Sequence, residues 1–207
     1  WRGENSPGLP EAGLPGEEGA AAIAEILFGD YNPCGKLTVS MPRSVGQIPL
    51  YYNHRPSGGR SHWYNDYVEM SPSQLYPFGH GLSYTTFEYS DLSISANKVA
   101  TGEQVEISLK VKNTGNMDGT EIVQLYFNDE FAGVPRPVKE LKGFARVELN
   151  AGESRSVRFR LPVDILAFYD NNLDLIVEAG TIKLMVGSSS ADINLEGQFE
   201  ITGPTRT

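Results

Sequence analysis

The chain is poor in the residues that most often carry reactive chemistry. Its 207 residues include one cysteine, Cys34, three histidines, two tryptophans and four methionines. A single cysteine excludes an internal disulfide and any metal site built from several thiolates. It is compatible with the bacterial cytoplasm, the periplasm or secretion, because a chain of this size can bury a core without disulfides. No apolar run approaches the roughly 20 residues of a membrane helix, so no membrane partner is expected. Basic residues are in the minority, 17 Lys and Arg against 26 Asp and Glu, giving a net charge of -9. A nucleic-acid partner would need a basic face and is not expected. There is no Asn-X-Ser/Thr acceptor, no Gly-x-Ser-x-Gly elbow and no phosphate loop. The opening Trp1-Arg2-Gly3-Glu4 has neither an initiator Met nor the pattern of a signal peptide, which suggests a processed or shortened start.

What is present is organised around Leu75-Tyr76-Pro77-Phe78-Gly79-His80-Gly81-Leu82-Ser83-Tyr84-Thr85-Thr86-Phe87. Four aromatics, one proline and two glycines fall within these thirteen residues. Pro77 fixes its own φ and pushes Tyr76 toward extended backbone, while Gly79 and Gly81 permit tight geometry around His80. Such a stretch reads as a wedge packed between two bodies of structure, and the chain changes character on its two sides.

Before the wedge, residues 1–18 read as coil, with four glycines and three prolines. Ala20, Ala21, Ile23, Ala24, Ile26, Leu27 and Phe28 then form a helical apolar stripe, with Glu17 and Glu18 at its start and Gly29 as its C-cap. Asn32-Pro33-Cys34-Gly35 is turn chemistry, and residues 36–41 alternate as a strand that stops at Pro42. One short helix and one strand cannot bury a core of their own, so this unit reads as the closing piece of an α/β domain. Residues 43–74 are irregular and aromatic, with Tyr51, Tyr52, Trp63, Tyr64 and Tyr67 spread among prolines and glycines. A loop this long is expected to be functional or to lie flat on another surface.

After the wedge the pattern is β. Val105, Ile107, Leu109 and Val111 alternate with Glu106, Ser108, Lys110 and Lys112. Val123, Leu125 and Phe127 repeat the alternation, as do Val147 and Leu149, Val157, Phe159 and Leu161, then Ile182, Leu184 and Val186. Ile193, Leu195, Phe199 and Ile201 close the series. About seven short strands separated by turn residues predict a β-sandwich.

Several stretches together resemble one family. Leu14-Pro15-Gly16-Glu17-Glu18-Gly19 and Ala22-Ile23-Ala24-Glu25-Ile26-Leu27-Phe28-Gly29-Asp30-Tyr31-Asn32-Pro33 are similar to the end of the second domain of family 3 glycoside hydrolases. Gly35-Lys36-Leu37-Thr38-Val39-Ser40-Met41-Pro42 through Ile48-Pro49 continues it. Tyr76-Pro77-Phe78-Gly79-His80-Gly81-Leu82-Ser83-Tyr84 resembles that family's junction into a fibronectin type III-like domain. Glu140-Leu141-Lys142-Gly143-Phe144 and Ala151-Gly152-Glu153-Ser154 resemble strands of that final domain. Bacterial β-glucosidases are the members it most resembles. The resemblance implies a mainly β fold: a fibronectin type III-like, immunoglobulin-like β-sandwich over 87–207, preceded by a helix–strand remnant of an α/β sandwich domain over 1–42 and an aromatic linker over 43–86. It also implies that the barrel bearing the catalytic Asp nucleophile, and most of the α/β domain, lie outside this sequence. Cys34 stands where the family more often has Ser, and residues 1–13 depart from its pattern.

Retaining glycoside hydrolysis needs two carboxyl groups about 5–5.5 Å apart, and no motif in this chain places either. Glu4, in a glycine-containing stretch upstream of the resemblance, is the one candidate acid/base, against a plain solvated carboxylate. Trp63, Tyr64 and Tyr67, with Arg60 and near Arg55 and His62, are candidates for stacking on a sugar ring; the alternative is packing against the absent domains or a second copy. His54, His62, Asp66 and Glu69 match no metal-ligand spacing, and neither metal nor cofactor is expected. His80 reads as a junction hydrogen bonder, and Cys34 as a thiol without a placed partner. The functional expectation is the C-terminal segment of an enzyme hydrolysing β-glucosides or oligosaccharides, partnered by its N-terminal catalytic domains or by a homodimer mate. The alternative is a non-catalytic carbohydrate-binding or protein-interaction module.

Overall fold

A computed structural model describes residues 6, 8–56 and 71–203. Helix α1 (Gly19–Phe28) forms where alanines and unbranched residues dominate. Gly29 ends it at φ 82°, its N–H donating to the Ile26 carbonyl. Glu18 occupies the N-cap position, but its carboxylate makes no capping hydrogen bond and the first turn holds no acid. The helix stands mostly in the open: Gly19 is its buried residue, and Phe28 is 83% exposed.

The expected strand over 36–41 is not a strand. The segment is extended but pairs with residues 75–80 only near its ends. Leu37 N–H donates to His80 O at 2.8 Å, Gly79 N–H to Leu37 O at 2.7 Å, and Met41 N–H to Tyr76 O at 2.8 Å. Between them the chain bends at Thr38 and Val39. Pro77 supplies no N–H on the opposing side, so a continuous ladder cannot form there. Met41 and Tyr76 make an isolated bridge instead.

The remainder is a sandwich. Strands β1 (Phe87–Ile94), β3 (Gln104–Asn113) and β6 (Ser154–Pro162) make a three-stranded antiparallel sheet in the order β1-β3-β6. Strands β2 (Lys98–Ala100), β10 (Ile193–Thr202), β9 (Gly180–Gly187), β4 (Gly119–Asp129) and β5 (Glu140–Leu149) make the facing sheet in that order. A small hairpin, β7 (Phe168–Tyr169) with β8 (Leu175–Ile176), links β6 to β9. Val105, Ile107, Leu109 and Val111 from one sheet meet Val123, Leu125, Leu184, Val186, Phe199 and Ile201 from the other in a closed apolar core. The alternation of β3 is what orients it, since successive side chains point to opposite faces.

Strand β4 departs from simple alternation. Gln124 and Tyr126 lie on the face opposite the core, yet both are buried. What covers them is the wedge. Gln124 Nε2 donates to Gly79 O at 3.0 Å and to Ser188 O at 2.6 Å. Tyr52 stacks on Phe78 with ring centroids 4.1 Å apart and meets Tyr126 edge-on at 6.0 Å. The N-terminal segment therefore lies across the outer face of the larger sheet. Its far end is tied where Val138 N–H donates to His54 O at 2.9 Å and Leu141 N–H to the Tyr52 hydroxyl at 3.2 Å.

Candidate functional site

The sites proposed from sequence divide by position. Glu4, Arg60, Trp63, Tyr64 and Tyr67 lie outside the described residues, as do His62, Asp66 and Glu69. His54 is described, and its ring nitrogen Nδ1 lies 3.1 Å from Arg55 O. Among the described residues no group of three or more His, Cys, Asp or Glu is arranged to hold a metal ion. Cys34 is a half-buried free thiol, with its Sγ 3.7 Å from the Tyr31 hydroxyl. That contact is the main cause holding the Tyr31 phenol above its usual pKa.

The structured chemistry sits at the junction between the N-terminal segment and the sandwich. Asn32 is its polar hub. Its Nδ2 donates to Asp118 O at 2.9 Å, and its Oδ1 accepts from the Ser83 hydroxyl at 2.9 Å and from Tyr84 N–H at 2.8 Å. Tyr84 in turn donates to Ile26 O at 2.6 Å, fixing the end of α1. Thr85 donates to buried Asn113 Oδ1 at 2.6 Å, and Asn113 Nδ2 donates to Met117 O and Leu149 O. Every polar atom of these amides is thus used, as burial requires.

Below the hub is an ion pair inside the sandwich. Glu121 shares the core-facing side of β4 with Val123 and Leu125, and its side chain is 6% exposed. Lys36 enters from the N-terminal segment and places Nζ 3.1 Å from Glu121 Oε1, its own side chain 14% exposed. The same ammonium donates to Gly81 O at 3.4 Å. Tyr89, on β1, is half-buried beside this pair, its hydroxyl out of solvent. Burial first, and then the negative charge of Glu121, push its phenol far above the usual range, so it stays neutral. His80 stacks on Tyr76 at 5.2 Å, and burial, reinforced by the positive Lys36 and opposed by Asp192, lowers its imidazole pKa.

The sequence placed Asn32 in a turn and Lys36 in an expected strand, but marked neither of them, nor Glu121 or Gln124, as a junction residue. A signal existed for one of them: Glu121 interrupts the apolar parity of β4, and a carboxylate in register with a core stripe needs a cation. Nothing local marks Lys36 as that cation.

Beside the hub a groove of about 610 Å³ runs between the loop after α1 and the end of β5, bounded by Asp30, Tyr31, Met117, Thr120, Arg146 and Asn150 among others. Tyr31 is 46% exposed there. Retaining hydrolysis needs two opposed carboxyls free to act across a sugar-sized gap, and three of the four acids lining this groove are engaged in ion pairs or hydrogen bonds. Glu148 and Glu153 are tied to Arg146 at 3.1 Å and Arg155 at 2.7 Å, and the Asp118 carboxylate accepts from Ala151 N–H at 2.8 Å, while Asp30 stands exposed.

Fold and junction together define a fibronectin type III-like sandwich welded to a preceding helix and extended segment. Residues 1–84 match the glycosyl hydrolase family 3 C-terminal domain, and residues 121–190 match the fibronectin type III-like domain. The chain belongs to glycosyl hydrolase family 3, within its C-terminal region. A periplasmic β-glucosidase of Salmonella typhimurium is 39% identical over 96% of this chain, and a putative β-xylosidase of Formosa agariphila is 42% identical over 85%. The match covers 26% of the first and 23% of the second, so the chain spans about a quarter of the length of the curated relatives it matches. Among solved structures, a β-glucosidase of Listeria innocua in complex with glucose superposes with a TM-score of 0.86 at 36% identity, covering 93% of this chain and 28% of that one. A β-glucosidase of Erythrobacter marinus gives 0.90 at 40% identity, covering 97% and 26%.

Proposed function

We propose that this chain is the C-terminal supporting segment of an enzyme that hydrolyses β-glucosides with retention, and that the catalytic nucleophile resides in residues it does not contain. The observation that carries the reading is the welded junction. Lys36, Asn32 and Gly79 are each bonded into the sandwich, so the sandwich serves to hold the end of the α/β unit in one place. Family membership supports the reaction class, and the relatives that are β-glucosidases support the substrate class. The exposed side of α1, with Leu27 and Phe28, is the surface for the remaining polypeptide or a second copy, because large apolar patches seldom stay bare.

An aryl β-glucoside assay tests this. Hydrolysis is expected from a polypeptide extended upstream through the catalytic domains and not from the 207-residue chain. Turnover by the chain alone, above a no-enzyme control, would overturn the reading. Within the same function, Trp63, Tyr64, Tyr67 and Arg60 contact the substrate side and Glu4 is the candidate acid/base. Trp63→Ala in the extended enzyme is expected to raise KM, and unchanged kinetics would remove that assignment.

The second reading, a freestanding carbohydrate-binding module, draws on the groove beside Tyr31. Glycan binding without turnover even in the extended polypeptide would favour it.

A further inference from the structure

We infer that the groove between the loop following α1 and the end of β5 binds a neutral oligosaccharide. The inference rests on groove geometry and holds whichever functional reading is correct. Its volume of about 610 Å³ lies within the range of ligand sites, about 300–1,000 Å³. That is room for an oligosaccharide rather than a single small ion.

The lining has the mixed character that sugars need. Tyr31 offers a half-exposed aromatic surface whose position is fixed at both ends: its N–H donates to Glu25 O at 3.1 Å and its hydroxyl contacts Cys34 Sγ. Apolar C–H faces of a pyranose pack on such a ring, and Met117 extends the apolar floor. Hydroxyl groups of a sugar both donate and accept. The groove supplies acceptors in Asp30, in Glu148 and in the Asn150 side-chain carbonyl, whose own amide is spent on Glu153 Oε2 at 2.9 Å. It supplies donors in the exposed Arg146 guanidinium and the Thr120 hydroxyl.

Charge selects the class of glycan. Arg146 is paired with Glu148 and Arg155 with Glu153, and the Asp118 carboxylate accepts from Ala151 N–H at 2.8 Å. Asp30 is exposed and makes no hydrogen bond or ion pair among the described residues. An unpaired carboxylate with no unpaired cation disfavours uronic-acid and sulfated chains and leaves neutral ones. The walls are also preorganised. Asn32 locks the loop to Asp118 O and to residues 83–84, so binding would order little that is mobile.

The test is a titration of the isotope-labelled 207-residue chain, following backbone amide resonances, with cellotriose, glucose and a galacturonic acid trimer. Cellotriose is expected to give saturable shifts at Asp30, Tyr31, Thr120 and 146–150, glucose weaker ones and the anionic trimer none. Tyr31→Ala and Asp30→Ala are each expected to weaken cellotriose on the order of tenfold. Should Tyr31→Ala lower the melting temperature, Tyr31→Phe keeps the ring and is expected to retain binding, while Arg146→Ala is expected to lose it. The inference is overturned by absence of saturation, by shifts confined to other residues, or by binding undiminished in Tyr31→Ala, Asp30→Ala and Arg146→Ala. It is equally overturned if the same resonances move with protein concentration alone, which would make the groove a contact between chains. Because no hydrolysis is read, failure here leaves the glycosidase reading standing, and the aryl glucoside assay can fail without touching this one.

Discussion

Replacing Lys36 with Met is the sharpest perturbation of the junction. The side chain keeps its length, but Glu121 is left as a carboxylate 6% exposed to solvent with its cation gone. Two unit charges about 4 Å apart attract by roughly 4 kcal/mol where the effective dielectric is near 20. That attraction offsets a desolvation cost of several kcal/mol per ion. Breaking a buried pair from one side costs about 3–5 kcal/mol, because the surviving charge has no compensation. Lys36 retains 14% exposure, so the lower end, about 3 kcal/mol, is expected. Such a loss would be a large share of the total stability of a small domain. Urea denaturation followed by tyrosine and tryptophan fluorescence measures it, with Glu121→Leu and the double variant completing the cycle. The double variant is expected to be close to the parent, since an apolar pair of similar volume needs no solvation. Single variants costing under about 1 kcal/mol, the range of exposed pairs, would refute the argument. So would a double variant whose loss equals the sum of the two.

Two further outcomes follow from the same region. Gly79 has φ +80°, and a Cβ there would collide with the side-chain amide of Gln124; Gly79→Ala should therefore cost about 2–4 kcal/mol from left-handed strain plus overpacking, read as a lowered urea midpoint, and a shift within a few tenths of a kcal/mol would contradict the packing described. Because the His80 imidazole pKa is lowered in the folded state, the unfolded chain binds the extra proton, so His80 contributes full stability above its ordinary value near 6.5 and progressively less as pH falls below it. His80→Phe, which keeps the stack on Tyr76, is expected to flatten that part of the stability–pH curve, and difference curves that stay parallel across it would show that the ring does not titrate as described.

Much of the architecture was legible because its signals are local. The stripe ending at Phe28 and the left-handed Gly29 mark α1, and alternation marks β3, β4, β5, β6, β9 and β10. The strand expected over 36–41 failed for a reason alternation cannot report: a strand needs a partner with donors in register, and Pro77 sits opposite. The groove was equally hidden, since Tyr31, Thr120 and Arg146 are far apart in sequence and carry no common motif.

By itself the amino-acid order determined which residues would turn inward, where turns would fall and which family the motifs belong to, because periodicity and turn chemistry act over a few residues. Tertiary structure alone decided what Glu121, Gln124 and Tyr126 face. Glu121 is matched by a lysine 85 positions earlier, and the outer side of β4 is dry only because Tyr52, Phe78 and Gly79 fold back across it. Burial and charge compensation are properties of space, and no local rule in the chain encodes a partner brought in from so far away.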